Sequence, residues 1–332
     1  MTTLVMLTGG LGNQLFQFKA GLCMSPDDVL ILDSSLGVPA LNSDGKPEIF
    51  SFDLPLTQVY RSKKRWRWIV SRLMGVQLRD AKATKHRFTL MIFQQCARLI
   101  APLVLSIYFR KWVKVINSQH SSFNDKSKHI SENKFLLGYF QSYNWNSEVV
   151  SRVLKSLKLS ESSELVNDYI ELAKKERPLI VHLRLGDYKN ESNFGILSPE
   201  YYESAVLDLM ATKNYGRLWI FSDEPVLAQK ILPHSVTTGA RWIPEIEGSA
   251  AKTLEVMRHG MGYVIGNSTF SWWAAYISHA DSPVVIAPEP WFVNLSTPQD
   301  LIPLQWQTKP AFFLNNSQIL QFSIYSTLES GT

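Results

Sequence analysis

The feature that most constrains the fold is an apolar run that ends abruptly in charged residues. Residues 178–183 read PLIVHL, the pattern of a buried β-strand, and the chain then continues through Arg184 and Asp187. In an open α/β sheet, ligands bind outside the carboxyl ends of the strands. An arginine at such a place usually faces a phosphate or a carboxylate, because its planar guanidinium holds two oxygens at once. The pattern therefore predicts an anion site at the end of a parallel strand.

The same pattern recurs in the second half of the chain. Apolar runs at 218–221, 263–265 and 284–287 each end in polar residues, and helical segments at 250–258 and 270–280 lie between them. This alternation predicts a doubly wound α/β fold. Because the carboxyl ends of parallel strands share one edge, we expect four polar clusters to converge into a ligand crevice. The clusters are His182, Arg184 and Asp187; Ser222, Asp223 and Glu224; Asn267, Ser268 and Thr269; and Glu289.

The N-terminal part begins as a β-loop-α-β unit, which is typical of a parallel sheet. A strand at 4–7 leads through the loop TGGLGNQ at 8–14 into a helix at 15–24. A second strand, at 29–32, ends at Asp33.

The glycines of that loop permit three interpretations. Gly10 and Gly12 match the first two glycines of a dinucleotide fingerprint, but Leu15 stands where the third belongs, so the match is weak. A Rossmann oxidoreductase that uses NAD through residues 9–33 is therefore kept as an alternative. Glycines here imply close approach of the backbone, and Asn13 and Gln14 would then point polar groups into a cleft. The third interpretation is a strained turn with packed amides.

The helix start after residue 266 offers a second element for binding an anion. Free N–H groups at a helix start attract negative charge, and Ser268 and Thr269 add hydroxyls. The alternative is that one of these two residues is only a helix cap. Asp223 or Glu224 would accept hydrogen bonds from a nucleotide base or ribose, or would cap the following helix.

We expect no metal, because no set of His, Cys, Asp and Glu residues has ligand spacing in the sequence. A phosphate site without a metal needs arginine and helix starts to neutralise charge. Arg184 is the best candidate. His182, two residues back on the same strand face, would donate to the same phosphate or orient Arg184; the alternative is a core histidine. Trp272 and Trp273 are interpreted as core residues rather than as a sugar platform.

The charge of the chain is unevenly distributed. The net charge is +5, but residues 61–114 contain 14 basic residues and one acidic residue, Asp80. This basic helical segment also has tryptophans and an apolar run, which favour a helix lying on an anionic membrane surface. An ordinary amphipathic domain with a solvated basic face is the alternative. Only two cysteines, Cys23 and Cys96, are present, which suits a reducing compartment. With no signal-peptide pattern, we expect a cytoplasmic protein.

Three motifs together resemble glycosyltransferase family 11, the α-1,2-fucosyltransferases. They are HLRLGDY at 182–188, GGLGNQLFQ at 9–17 and GNSTFSWWA at 266–274; FSD at 221–223 and residues 287–291 fit the same family. The resemblance implies a GT-B fold, with two Rossmann-like domains facing each other across a cleft. It also implies GDP-fucose as donor, inversion at the anomeric carbon, no metal and a galactoside acceptor. One departure is Leu185, where the family usually has a second arginine.

The resemblance also implies site residues. Arg184 and the helix start would stabilise the departing diphosphate and His182 would assist, while Asp187 would position Arg184 or accept the proton of the acceptor. Asn13 would orient donor phosphate or acceptor from the other domain. The predicted catalytic residues are thus Arg184, His182, Asp187 and Asn13. The predicted GDP-fucose ligands are Gly10, Gly12, Gln14, Ser222, Asp223, Asn267, Ser268, Thr269, Ser271 and Glu289.

We predict an acceptor-side domain at 1–155, which includes the basic segment, and a donor domain at 156–332. The tail at 298–332 is expected to pack back on the N-terminal domain. The family's bacterial members imply a lipid-linked O-antigen repeat unit as acceptor, with the enzyme peripheral on the inner face of the cytoplasmic membrane and no nucleic acid partner. Besides the fucosyltransferase and the NAD-dependent oxidoreductase, a third hypothesis is a non-catalytic, membrane-docked protein of glycan assembly.

Overall fold

The computed structural model describes residues 2–25, 29–34, 41–55, 57–60, 113–118 and 133–329. The chain divides into two compact units, and each is described by itself. The N-terminal unit comprises Met1–Leu157 with Gln299–Leu301, and the C-terminal unit comprises Lys158–Pro298 with Ile302–Thr332.

The N-terminal unit is built on a five-stranded sheet whose pairings are parallel. Its described elements are β1 Thr2–Met6, α1 Leu11–Met24, β2 Val29–Asp33, a short 3₁₀ helix Glu48–Ser51, β3 Thr57–Tyr60, β4 Val113–Ser118, β5 Asn133–Gly138 and α2 Glu148–Lys155. The strand order is β3-β2-β1-β5-β4, so the first strand lies at the centre.

Helix α1 is buried along most of its length, which fits its position against the centre of the sheet. Its one basic residue, Lys19, is fully buried and donates to the carbonyl oxygen of Tyr143 at 3.1 Å. Burial lowers the pKa of Lys19 to about 7. The helix begins at Leu11, earlier than the predicted residue 15, because the extended Gly10 already serves as its N-cap.

The C-terminal unit has a six-stranded parallel sheet. Its elements are α3 Glu164–Glu176, β6 Leu179–Leu183, a 3₁₀ turn Asp187–Asn190, α4 Pro199–Thr212, β7 Leu218–Ser222, α5 Pro225–Ile231, α6 His234–Thr237, β8 Arg241–Ile243, a 3₁₀ turn Ile246–Gly248, α7 Ala250–Met257, β9 Gly262–Val264, α8 Thr269–Tyr276, β10 Val284–Glu289, β11 Gln307–Pro310 and α9 Asn316–Glu329. The strand order is β11-β10-β9-β6-β7-β8.

Every residue of β6 is buried. Leu179, Val181 and Leu183 pack into the main apolar core together with side chains of α4. Because side chains alternate along a strand, His182 faces the other side of the sheet. Its ring lies 5.7 Å from that of Phe270 in α8.

The prediction of an α/β chain with two Rossmann-like units is confirmed. The expectation for the tail needs correction. Only Gln299–Leu301 groups with the N-terminal unit, whereas β11 pairs with β10 as the edge strand of the C-terminal sheet and α9 packs against α5. Most of the basic segment, residues 61–112, lies outside the described residues. No helix in the described part combines the length and the apolar composition needed to cross a membrane.

Candidate active site

The carboxyl edge of the C-terminal sheet is organised around the side chain of Asp223. Its Oδ1 accepts from the backbone N–H of Leu185 at 2.9 Å, and its Oδ2 accepts from that of Gly186 at 3.0 Å. Arg184 Nη1 lies 3.2 Å from the same Oδ2. Asp223, which begins the loop after β7, therefore holds the loop after β6 in place. We expected it to bind a base or a ribose; in the structure it braces Arg184.

Arg184 lies between two carboxylates. Its Nε donates to Asp187 Oδ1 at 2.9 Å while Nη1 faces Asp223. Burial alone would lower the pKa of Arg184, but the charges of Asp223 and Asp187 outweigh it and raise the pKa. The guanidinium is thus charged, partly exposed and aimed at the carboxyl edge, where the sequence analysis placed it.

His182 is the next-to-last residue of β6, two residues before Arg184, and its side chain is buried. Burial, together with the charge of Arg184, lowers the pKa of His182 to about 4, and the charge of Asp223 only partly compensates. Among the described residues, Nδ1 of His182 has no hydrogen-bond partner. The residue is therefore a neutral imidazole in the wall behind Arg184 and carries no charge toward a phosphate at neutral pH.

The start of α8 lies directly beside this loop. A Cβ on Gly266 would come within 3.0 Å of the His182 carbonyl oxygen and 3.9 Å of the Arg184 nitrogen. A larger residue here would therefore push the end of β6 away by a few tenths of an ångström. Ser268 is the N-cap of α8, since its Oγ accepts from the N–H of Phe270, and Thr269 is partly exposed.

Asn267 and Ser271 were also predicted to bind the donor, and in the structure their side chains form hydrogen bonds to backbone groups. Asn267 is buried and donates to the carbonyl oxygens of Phe194 and Gly195. Ser271 is also buried and donates to the Ser268 carbonyl oxygen. In the structure both side chains bond to backbone carbonyl groups, and their role in binding GDP-fucose stays a prediction.

Tyr188 was not singled out by the sequence reasoning, although it ends the HLRLGDY motif. Its hydroxyl donates to the carbonyl oxygen of Asn267 at 3.0 Å, and its ring stacks on Phe194 at 4.8 Å. Tyr188 thus ties the Arg184 loop to the start of α8. Its neighbour Lys189 forms an ion pair with Glu224 at 2.5 Å.

Two more predicted ligands, Ser222 and Glu289, and two predicted core residues, Trp272 and Trp273, lie in this part of the unit. Ser222 Oγ accepts from the N–H of Glu224 and so shapes the β7 loop. Glu289 ends β10 with an exposed side chain. Trp272 and Trp273 are fully buried, as expected of core residues.

In the N-terminal unit, Gln14 is fully buried and is not available to a ligand. Its amide donates to the Gly9 carbonyl oxygen, and its Oε1 accepts from the N–H of Ile49, both at 3.0 Å. Gly12 is buried inside α1. This outcome corresponds to the alternative of packed amides.

Asn13 and Gly10 are better placed for contact with a ligand. Both are partly exposed at the start of α1, and Asn13 Oδ1 accepts from Gln141 at 2.8 Å. Gly9 has φ +71°, and a Cβ there would lie 2.5 Å from Asn13 Nδ2, so the turn requires glycine.

A charged arginine and a helix start at the carboxyl edge of a parallel sheet are the features with which α/β proteins commonly bind phosphate-bearing ligands. The model of Glycosyl transferase family 11 matches residues 98–306, which is more than half of the chain. The chain therefore belongs to glycosyltransferase family 11.

Known proteins resemble the chain along most of its length. It is 24% identical to the O-antigen biosynthesis glycosyltransferase WbnK of Escherichia coli, over 87% of this chain and 94% of that protein. It is 26% identical to a galactoside 2-alpha-L-fucosyltransferase of Caenorhabditis elegans, over 83% of this chain and 68% of that protein. Among solved structures, NodZ alpha-1,6-fucosyltransferase soaked with GDP-fucose matches 90% of this chain and 99% of its own, with 14% identity and a TM-score of 0.47.

Family membership does not favour the NAD hypothesis, and the structure gives a physical reason against it. Asp33, the acidic residue that a dinucleotide-binding fold would use to contact a ribose, is the last residue of β2 and is fully buried. Leu15, at the position of the third glycine, is a core residue.

Neutral burial of His182 predicts a pH dependence of stability. The folded pKa is about 4 against an ordinary 6.5, so the unfolded chain binds more protons between these values. We expect the free energy of unfolding contributed by this group to be fully present above pH 6.5 and to fall as the pH drops toward 4. Urea titrations at several pH values in this range give the free energy of unfolding. We expect it to fall less steeply with decreasing pH in His182→Gln than in the wild type. The exposed His234→Gln is the control; an equal slope in all three proteins would contradict the assignment.

The two carboxylates beside Arg184 should differ in their effect on stability. Asp223→Asn leaves one backbone N–H of the loop without an acceptor, so we expect a loss of about 1–3 kcal/mol. Asp187 is 58% exposed, and Asp187→Asn should change stability by less than about 0.5 kcal/mol. Urea denaturation of both variants measures this difference. Equal losses would show that Asp223 does not brace the loop.

Proposed function

We propose that the protein transfers L-fucose from GDP-fucose to the 2-hydroxyl of a β-galactoside, with inversion and without a metal. Membership of family 11 supports glycosyl transfer, and relatives described as a galactoside 2-alpha-L-fucosyltransferase and an O-antigen glycosyltransferase support the linkage and the pathway class. The position of Arg184 beside the start of α8 is the observation that carries the proposal.

That position matches the charge that develops in the reaction. As the sugar–phosphate bond breaks, positive charge builds on the sugar, as in other oxocarbenium-like transition states, and negative charge builds on the departing GDP. A preorganised guanidinium and the N–H groups of a helix start stabilise such a leaving diphosphate. His182 supports Arg184 as a neutral, buried neighbour.

The two carboxylates take different roles in this proposal. Asp223 is committed to two backbone N–H groups and remains fixed. Asp187 is exposed and bonded through its Oδ1 to Arg184. When the diphosphate replaces Asp187 at the guanidinium, the freed carboxylate can accept the proton of the attacking hydroxyl. Asp187 is therefore our candidate for the general base.

We assign the other contacts with the donor and the acceptor to predicted residues that are at least partly exposed. Thr269 and Glu289 are exposed enough to contact the donor at the carboxyl edge. Asn13 and Gly10, in the N-terminal unit, are proposed to contact donor phosphate or acceptor. For the acceptor we propose a galactose-terminated glycan, such as a lipid-linked O-antigen unit, handled by an enzyme in the cytoplasm at the membrane surface, with residues 61–114 contacting anionic lipid.

The activity is tested by supplying GDP-fucose with a panel of β-galactosides and reading the product linkage by NMR. We expect an α-1,2-linked fucose, with equal turnover after treatment with EDTA. A fucose on another hydroxyl would overturn the regiochemistry. Because one relative is an alpha-1,2-colitosyltransferase, matching 47% of this chain at 24% identity, GDP-colitose is included as a second donor. Preference for it would overturn the donor assignment.

Removing the guanidinium should affect turnover far more than folding. We expect Arg184→Ala to lose about 100–1,000-fold in kcat, the loss typical of one preorganised charge-stabilising donor. The control is Arg217→Ala, which removes a guanidinium paired with Glu176 near the opposite edge of the sheet. Circular dichroism verifies that both variants fold. A folded Arg184→Ala protein with near-normal kcat would refute the mechanism.

A further inference from the structure

Three side chains that commonly bind metals meet at the opposite edge of the C-terminal sheet. Glu255 lies in α7, His259 follows that helix, and His279 follows α8. The Nε2 atoms of His259 and His279 each lie 3.6 Å from Oε1 of Glu255. One ligand atom from each residue falls within 4.8 Å of the others.

Hydrogen bonds outside the three side chains hold the segments of this cluster together. Glu255 and His259 are four residues apart at the end of a helix and so share one face. The N–H of His279 donates to the carbonyl oxygen of Arg258 at 2.8 Å. Ser278 Oγ donates to the same carbonyl and to that of Gly260. The segment after α7, which carries His259, and the segment after α8, which carries His279, are thus joined by hydrogen bonds.

Arg258 orients the carboxylate from behind. The side chain is fully buried, its Nε donates to the Ile277 carbonyl oxygen at 3.2 Å, and its Nη1 binds Oε2 of Glu255 at 3.1 Å. The other oxygen, Oε1, consequently faces the two imidazoles. Such outer contacts that fix a ligand are typical of metal sites.

We propose that Glu255, His259 and His279 bind a divalent ion of the zinc class. Two histidines and one glutamate are a known zinc donor set, with bonds of about 2.0–2.2 Å. Tetrahedral geometry with such bonds puts ligand atoms about 3.3 Å apart. The two Glu–His distances of 3.6 Å therefore require only a small adjustment, and the two imidazoles, whose ligand atoms lie within 4.8 Å of each other, close up further around the ion. His279 is 41% exposed, so water can reach the fourth position.

The ion has a structural role and does not enter the transfer reaction. His259 lies just before β9, and β9 runs parallel to β6 with Gly262 beside Leu179. The cluster is therefore at the amino edge, whereas Arg184 is at the carboxyl edge. The ion links the end of α7 to the segment after α8, the helix whose start forms part of the anion site. The proposal is independent of donor and acceptor identity.

The test uses the full chain without an affinity tag, stripped of metal and titrated with Zn²⁺ or Co²⁺. We expect one ion per chain by elemental analysis, a Co²⁺ absorption spectrum of a low-coordinate nitrogen and oxygen site, and a rise in Tm. His279→Asn and His259→Asn should weaken binding by more than the roughly 10–100-fold typical of an outer contact. The exposed His234→Asn should bind as wild type does.

Because His279 is largely exposed, its variant should fold, and its Tm without metal provides the check. Binding of less than one equivalent by wild type would overturn the proposal. So would equal affinity of the His279→Asn, His234→Asn and wild-type proteins, since the ion would then be held elsewhere.

Discussion

The carboxylate of Asp223 is the interaction on which the carboxyl edge depends. One side chain accepts from two successive backbone N–H groups and pairs with Arg184, so it fixes both the path of the loop and the direction of the guanidinium. Charged acceptors form the stronger hydrogen bonds. The same geometry explains Gly186, since a Cβ there would lie 2.7 Å from Asp223 Oδ2. The motif HLRLGDY and the motif FSD therefore act as one unit, although they lie on different strands.

Much of the fold could be predicted because it depends on periodicity. Apolar runs alternating with helices specify a parallel sheet, and parallel strands bring their polar ends to one edge. The direction of each polar side chain was harder to predict. Asn267 and Gln14 turn their amides to backbone groups instead of to a ligand, and composition does not distinguish these cases. Buried backbone N–H and C=O groups need hydrogen-bond partners. A polar side chain near a ligand site can therefore serve the backbone instead of the ligand.

The sequence analysis also missed the cluster of Glu255, His259 and His279, for a different reason. Two of its members are at helical spacing, but an i, i+4 pair alone is common on helices. The third comes from the segment after α8, and it is brought close by the hydrogen bond between the backbones of His279 and Arg258. Ligand spacing in sequence finds sites built from one or two local segments. It does not find sites whose last ligand depends on how two helices end.

Leu185 leaves the proposed diphosphate site with one arginine. Its side chain is buried in the core of the C-terminal unit, while its N–H binds Asp223. A side chain at this position points away from the carboxyl edge, so in the proposed mechanism Arg184 and the start of α8 neutralise the diphosphate. Without ligand, two carboxylates face one guanidinium, which disfavours a second anion. In the proposed reaction, the diphosphate must therefore displace the exposed Asp187, because Asp223 is fixed by the backbone. Donor binding and release of the proposed base then become the same event, which keeps the carboxylate paired until GDP-fucose is in place.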